Sequence, residues 1–462
     1  MKDEDAKDAI VALPSLEELV RAYEPFRQKL GRRYEGVLPA SAPIKSPPKA
    51  RRLVSDKKGS MRKDIGAVHI KNLMKSDPRI VVIHGDLAES GGFIEVAQEF
   101  PDRVINGGVA EANMYMMASG MRQAGLLPVT YTFAAFGTNE ARANLRLIDI
   151  NSGHIPCAVF HDCTHTGLSV GEDGETAQDR NYFNLPFDHL RVWMPADSNQ
   201  AAAMVERGLQ LVAEGTESVC VFSPRAGQSP LTTSTGSIFY GKDYVYDGKI
   251  DLVRGSGDLT DSCTILATGN CVHAAAAAVL PLTHTLSRGE REKSVRLLNV
   301  SCIRPIDAAS IIQAALETVH LLVVEDHHSE GGLATQVADI IADFQLPCSL
   351  RRLGVNHYFP SGPAEDLLLL AGLDVESVAD AVQDEVTVEV QGSEDALVTV
   401  VHSLPRQLEQ SRFGASARSY VERLRGEKGY LEALREKWKK RTVGHLPSTA
   451  ELREGLGESS NF

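Results

Sequence analysis

An α/β fold with two open sheets is what this sequence predicts, and three observations predict it. From residue 61 onward, short apolar runs of strand length alternate with longer segments whose apolar residues recur at helical spacing. A Gly-, Ser- and Thr-rich stretch, 227–257, interrupts the alternation. A second alternating run then continues to about residue 383. A chain of 462 residues has room for two such domains with flanking segments. The expected division is an N-terminal arm and linker over 1–60, an α/β domain over 61–226, a linker over 227–257, a second α/β domain over 258–383 and an extra, helical tail over 384–462.

In the arm, residues 15–34 carry apolar side chains at helical spacing, and Ser15 with Glu18 suits a capping box. Pro25 interrupts that helix, and a Pro/Ser/Ala-rich linker follows. Such an arm cannot bury a core alone, so it is expected to lie on another surface. Residues 49–52, KARR, read as solvated linker. The first domain predicts strands over 80–84, 128–133, 157–161, 191–194 and 218–223, with helices over 63–74, 110–121, 140–151 and 198–214. The second predicts strands over 263–268, 295–299, 321–325 and 349–353, with helices over 273–279, 308–318 and 333–342. Short strands that are apolar throughout suit parallel sheets covered on both faces. In the tail, 386–390 and 396–401 read as a small β-pair. Residues 418–440 read as a charged helix with Tyr420, Leu424, Leu431, Leu434 and Trp438 along one stripe, weakened by Gly426 and Gly429.

Composition narrows the function classes. The net charge is −13 and no large basic block occurs, which argues against a nucleic-acid partner. The N-terminus MKDEDAKDAI lacks the apolar core of a signal peptide, and no apolar run is long enough to span a bilayer, so no membrane partner is expected. Seven cysteines are scattered without a CxxC pair, which suits reduced thiols and a cytoplasmic location. His161 and His165 form an HxxxH pair, but the segment follows a strand and is Gly-rich, so no helix face aligns them and no metal site is expected here.

The most informative segments are GGVAEANMYMMASGMRQAGLLPVTYTFAAFGT (107–138) and HTGLSVGEDG (165–174). Glu111 is a lone acid opening a run of small and apolar residues, and Phe133 and Phe136 flank two alanines after a predicted strand. A carboxyl can protonate a ring nitrogen, and two phenyl rings can stack on a flat heterocycle. The plainer alternatives are a first-turn carboxylate favoured by the helix dipole and ordinary aromatic core packing. Together these segments resemble the pyrimidine-binding domain of the transketolase family, and VVEDHHSEGGLATQVADII and LGVNHYFPSGPAEDLLLLAGLD resemble its C-terminal domain. The resemblance runs from about 61 to 383.

The resemblance implies thiamine diphosphate as cofactor, with Glu111, Phe133, Phe136 and Asp86 around it. It implies a sugar phosphate substrate held by Arg62, Ser90, His165 and Arg225, with Asp173 on a sugar hydroxyl, and catalytic roles for Glu111 and His165. Where the family carries His or Gln, this chain has Ala177, and Glu175 replaces a proline. Either Gln178 substitutes through a small loop shift or the donor contacts differ. The family's diphosphate-binding half, with its GDG…N metal motif, is absent from these residues. A separate diphosphate-binding subunit is therefore expected, holding Mg2+ and assembling as α2β2, as two-component transketolases do. The implied reaction moves a two-carbon ketol unit from a ketose phosphate to an acceptor. Two alternatives stay open: glycolyl transfer to a lipoyl or acyl-carrier thiol, and a non-catalytic scaffold or regulatory subunit.

Overall fold

The computed structural model describes residues 47–178, 187–215, 217–286, 294–388, 390 and 394–441. Twelve strands run through them: β1 (Ile80–His84), β2 (Val104–Asn106), β3 (Leu127–Phe133), β4 (Phe160–Thr164), β5 (Leu190–Trp193), β6 (Ser218–Ser223), β7 (Asp251–Arg254), β8 (Asp261–Ala267), β9 (Ser294–Asn299), β10 (Cys302–Arg304), β11 (His320–His328) and β12 (Ser349–Val355). They form a seven-stranded sheet in the order β10-β5-β6-β4-β3-β1-β2 and a five-stranded sheet in the order β12-β11-β8-β9-β7. Strands β1, β4 and β6 are buried along their whole length, because helices cover both faces.

Both sheets are parallel except at one edge each. β10 pairs antiparallel with β5, and β7 antiparallel with β9. β10 follows β9 of the second sheet yet joins the first, so a three-residue strand ties the two units together. Neither edge strand is visible in the periodicity: β7 lies inside the stretch expected to be linker, and β10 is too short to show alternation.

The helical run from Met61 to Ser76 contains a π-type segment, Ile65–Ile70, between two α-helical stretches. Helix Ser198–Glu214 begins at Asp197, whose carboxylate accepts the Gln200 amide at 2.8 Å, and ends at Gly215 with φ +90°. These are the side-chain cap and left-handed glycine that satisfy free helix termini. The linker ahead of the first domain is not simply solvated. Arg52 pairs with Glu206 at 2.6 Å, and Ser55 exchanges two 2.9 Å hydrogen bonds with Asn199. Residues 52–55 thus strap onto this chain's own helix; the predicted helix at 15–34 lies outside the described residues.

The tail corrects the sequence reading. Residues 396–401 are not a strand but part of helix Glu394–Gln410, and 386–388 are the turn that ends the preceding helix. Leu397, Val400 and Leu404 recur at three- and four-residue spacing and bury one face, so helical burial outweighs the β preference of valine. The charged helix is likewise two helices, Gly414–Gly426 and Lys428–Arg441, with the break at Glu427, between the two glycines. Trp438 is 1% exposed and donates its indole N–H to the Leu316 carbonyl at 3.0 Å. Tyr430 donates to Glu317 at 2.7 Å, and Glu317 sits 2.6 Å from Arg296. The tail is therefore docked on helix Ala308–Thr318 of the second unit.

Candidate active site

The strand order locates a site before any side chain is considered. β1 has β2 on one side and β3 on the other, so the chain crosses over between them. Ligands in open α/β sheets bind outside the carboxyl ends of strands at such a switch point. The residues singled out from sequence cluster at those ends. Asp86 and Ser90 follow β1, Glu111 follows β2, and Phe133 ends β3 with Phe136 just beyond. His165 and Asp173 follow β4, and Arg225 follows β6. Arg62 enters from the first helix.

Glu111 is the first residue of helix Glu111–Gln123 and is 6% exposed. The Thr132 hydroxyl donates to its Oε1 at 3.1 Å, and no other described residue bonds the carboxylate. Oε2 is left for another group. Gly85 faces it closely: a Cβ there would stand 3.2 Å from Oε1. Asp86 beside it is exposed and trades hydrogen bonds with Asn106 at 2.9 and 3.2 Å.

Phe133 lies between two rings. Its centroid is 3.7 Å from that of His165 and 5.6 Å from that of Phe136, with interplanar angles of 28° and 17°. Both phenylalanines are half-buried, so the stack keeps a face toward solvent. His165 is 2% exposed, and Thr164 Oγ1 lies 2.9 Å from its Nδ1. Burial, followed by the nearby charges of Arg62 and Arg225, pushes its pKa down to about 3. The ring is neutral at physiological pH, so its 3.5 Å approach to Asp173 is a polar contact rather than an ion pair. Asp86 and His165 both have φ +62°, a region that non-glycine residues rarely occupy. Backbone strain of this kind concentrates at functional sites.

The basic residues converge too. Arg62 donates to the Ser90 carbonyl, and Arg225 pairs with Glu172 and, at 3.3 Å, with Asp173. Arg62 and Arg225 line one cleft of about 330 Å³ with Lys58, Glu172 and Glu365. Its far wall, 363–365, belongs to the second unit. Sequence reading missed Thr132, Lys58, Glu172 and this wall. Glu172 had a local signal, its place beside Asp173; the others had none. Gln178 is not available as a substitute at the Ala177 position: its amide donates to the Phe359 carbonyl at 2.9 Å and accepts the Phe359 N–H at 3.0 Å. His161 and His165 stand apart in role, since His161 is wholly buried against Thr130 and Tyr115. Among the described residues no group of three His, Cys, Asp or Glu side chains is placed to hold a metal ion, and no helix is long and apolar enough to cross a membrane.

A buried acid and an aromatic stack thus lie together at a switch point, in the same unit as the two arginines that line the cleft. Comparison with known proteins identifies the family. Residues 58–228 match the transketolase pyrimidine-binding domain and 251–378 the transketolase C-terminal domain. A protein of Methanocaldococcus jannaschii described as a transketolase C-terminal section is 32% identical over 328 residues, covering 70% of this chain and 96% of that one. The chain belongs to the transketolase family, a thiamine diphosphate-dependent family of transferases. It spans about half of full-length members such as Rattus norvegicus transketolase, which is 30% identical over 69% of this chain and 48% of its own length. A split-gene transketolase, solved as an inactive β4 tetramer, superposes with a TM-score of 0.57 at 25% identity, covering 71% of this chain and 98% of that one.

Proposed function

We propose that this chain is the pyrimidine-binding subunit of a two-component transketolase, moving a two-carbon ketol unit from a ketose phosphate to an acceptor in concert with a diphosphate-binding subunit. The observation that carries this reading is the Glu111 carboxylate, buried with one hydrogen-bond partner and one open oxygen, beside the Phe136–Phe133–His165 stack. The residues present fit an aminopyrimidine: an acid for a ring nitrogen, a ring face to stack on, and the bare Cα of Gly85 where a side chain would crowd the acid.

Thiamine diphosphate, when bound, supplies the nucleophilic carbon and the electron sink that transfer of a ketol unit requires. Glu111 would hydrogen-bond the pyrimidine ring nitrogen and could move a proton there. Phe133 and Phe136 hold the ring plane. Neutral His165, with Thr164 at Nδ1, offers Nε2 to the donor, and Asp173 orients a donor hydroxyl. Arg62 and Arg225, with Ser90, hold the terminal phosphate through charge-assisted hydrogen bonds. Mg2+ would be held by the partner subunit.

Separate chains are the natural comparison, since the C-terminal section and the split-gene chain are matched over 96% and 98% of their lengths. The test is co-expression with a diphosphate-binding chain, followed by calorimetry with thiamine diphosphate and Mg2+. The assembled pair is expected to bind tightly and turn over a ketose phosphate. Tight, Mg2+-dependent binding by this chain alone would refute the two-component reading.

A further inference from the structure

The donor cleft has a charge pattern that recognition of a phosphate does not require. Its walls carry three cations, Lys58, Arg62 and Arg225, and two carboxylates, Glu172 and Glu365. Arg225 is the cation most occupied. Its Nη1 pairs with Glu172, and its Nε lies 3.3 Å from Asp173. Among the described residues Arg62 has no carboxylate partner; it donates to the Ser90 carbonyl instead.

Glu172 is held in place rather than merely nearby. Ser361 of the second unit donates to its backbone carbonyl at 2.8 Å. The preceding Gly171 has φ +58°, and a Cβ there would come within 3.2 Å of the Gly362 carbonyl and 3.4 Å of Arg225 Nη1. The turn is thus pressed between Arg225 and the 361–364 loop, with the Glu172 side chain aimed at the guanidinium. Arg225 in turn holds the Glu172 carboxyl below its usual range, so it is ionised at neutral pH.

We propose that Glu172 is an internal counter-ion of the donor-phosphate cleft: it occupies Arg225 while the cleft is empty, yields it when a phosphate dianion enters, and so sets how strongly the enzyme prefers phosphorylated over unphosphorylated donors. The proposal rests on the donor site proposed above and adds a specificity residue to it. A phosphate dianion entering the cleft replaces the carboxylate–guanidinium pair with a phosphate–guanidinium pair and meets the displaced carboxylate as a like charge. Removing the carboxylate's charge therefore strengthens phosphate binding.

The probe is inorganic phosphate, titrated against the full chain and used as a competitive inhibitor of the assembled enzyme. Glu172→Gln, at an exposed side chain, is expected to bind phosphate roughly three- to tenfold tighter, the scale of losing one exposed ion pair plus one neighbouring like charge. The ratio of kcat/KM for a ketose phosphate to that for hydroxypyruvate should rise by the same factor. Glu365→Gln, in the same cleft without an arginine partner among the described residues, should change both by less than twofold. Unchanged or weaker phosphate binding in Glu172→Gln, while Arg225→Ala abolishes it, overturns the counter-ion and leaves the donor site standing. Equal gains in Glu172→Gln and Glu365→Gln also overturn it, since the effect would then be general charge. If wild type and Arg225→Ala bind phosphate alike, the donor site itself falls, and the counter-ion with it.

Discussion

Replacing Glu111 with glutamine keeps the shape of the side chain and removes the one proton it can give. In the structure Thr132 donates to Oε1 at 3.1 Å. A glutamine satisfies that donor by placing its carbonyl oxygen there, which puts its NH2 where Oε2 stood. The amide still hydrogen-bonds a ring nitrogen but cannot protonate it. Fold and cofactor binding should survive, and proton chemistry should not. The usual scale of an acid–base role is 10²–10⁴-fold, or roughly 2.7–5.4 kcal/mol of barrier. The assay is NMR-followed exchange of the cofactor C2 proton in the enzyme assembled with its partner, alongside calorimetry for cofactor affinity. Thr132→Val provides the geometric control. It leaves the carboxylate in place but without its only described partner, so exchange should slow far less than in Glu111→Gln. Exchange at the wild-type rate in Glu111→Gln would refute the reasoning and reduce Glu111 to a helix-terminal carboxylate.

Arg62→Ala and Arg225→Ala should each weaken use of a phosphorylated donor about 10- to 150-fold, the equivalent of roughly 1.5–3 kcal/mol for one charge-assisted contact, with far smaller losses on hydroxypyruvate; equal losses on both donors would make them structural. Trp438→Ala removes a side chain that is 1% exposed and bonded to Leu316, so urea unfolding should show a loss of about 3–5 kcal/mol; a loss under about 1 kcal/mol would mean the tail does not dock as described. Burial pushes His69 down to about 4 and His161 and His165 to about 3, so each takes up a proton on unfolding below pH 6.5, and these groups withdraw stability as pH falls from there. Asp251 and Glu325, pushed up to about 6 and about 7, act in the opposite sense. His161→Asn therefore isolates one term: between pH 4 and 6 its stability–pH slope should be shallower by about one proton, near 1.4 kcal/mol per pH unit, and an unchanged slope would place a charged His161 in the fold.

Local order was legible in the sequence because it is written within windows of about ten residues. Strands buried on both faces are apolar throughout, and helices keep one apolar stripe, so β1, β6 and helix Ser198–Glu214 fall where the pattern puts them. The placement of Glu111 among small neighbours and of two phenylalanines after a strand is equally local. Where the window misled, valines were the cause: 396–401 is rich in β-branched residues but buries Leu397, Val400 and Leu404 along one helical face. What tertiary structure alone decided is everything that depends on where strands end. β10 leaves its own unit to pair with β5, a choice made by the packing of two sheets and not by three residues. Thr132 reaches Glu111 across 21 positions, Arg225 reaches Glu172 across 53, and Ser361 fixes Glu172 across 189. No short window holds those pairs. They meet because parallel strands bring all their carboxyl ends to one edge, and the crossover between β1 and β3 opens that edge into a crevice.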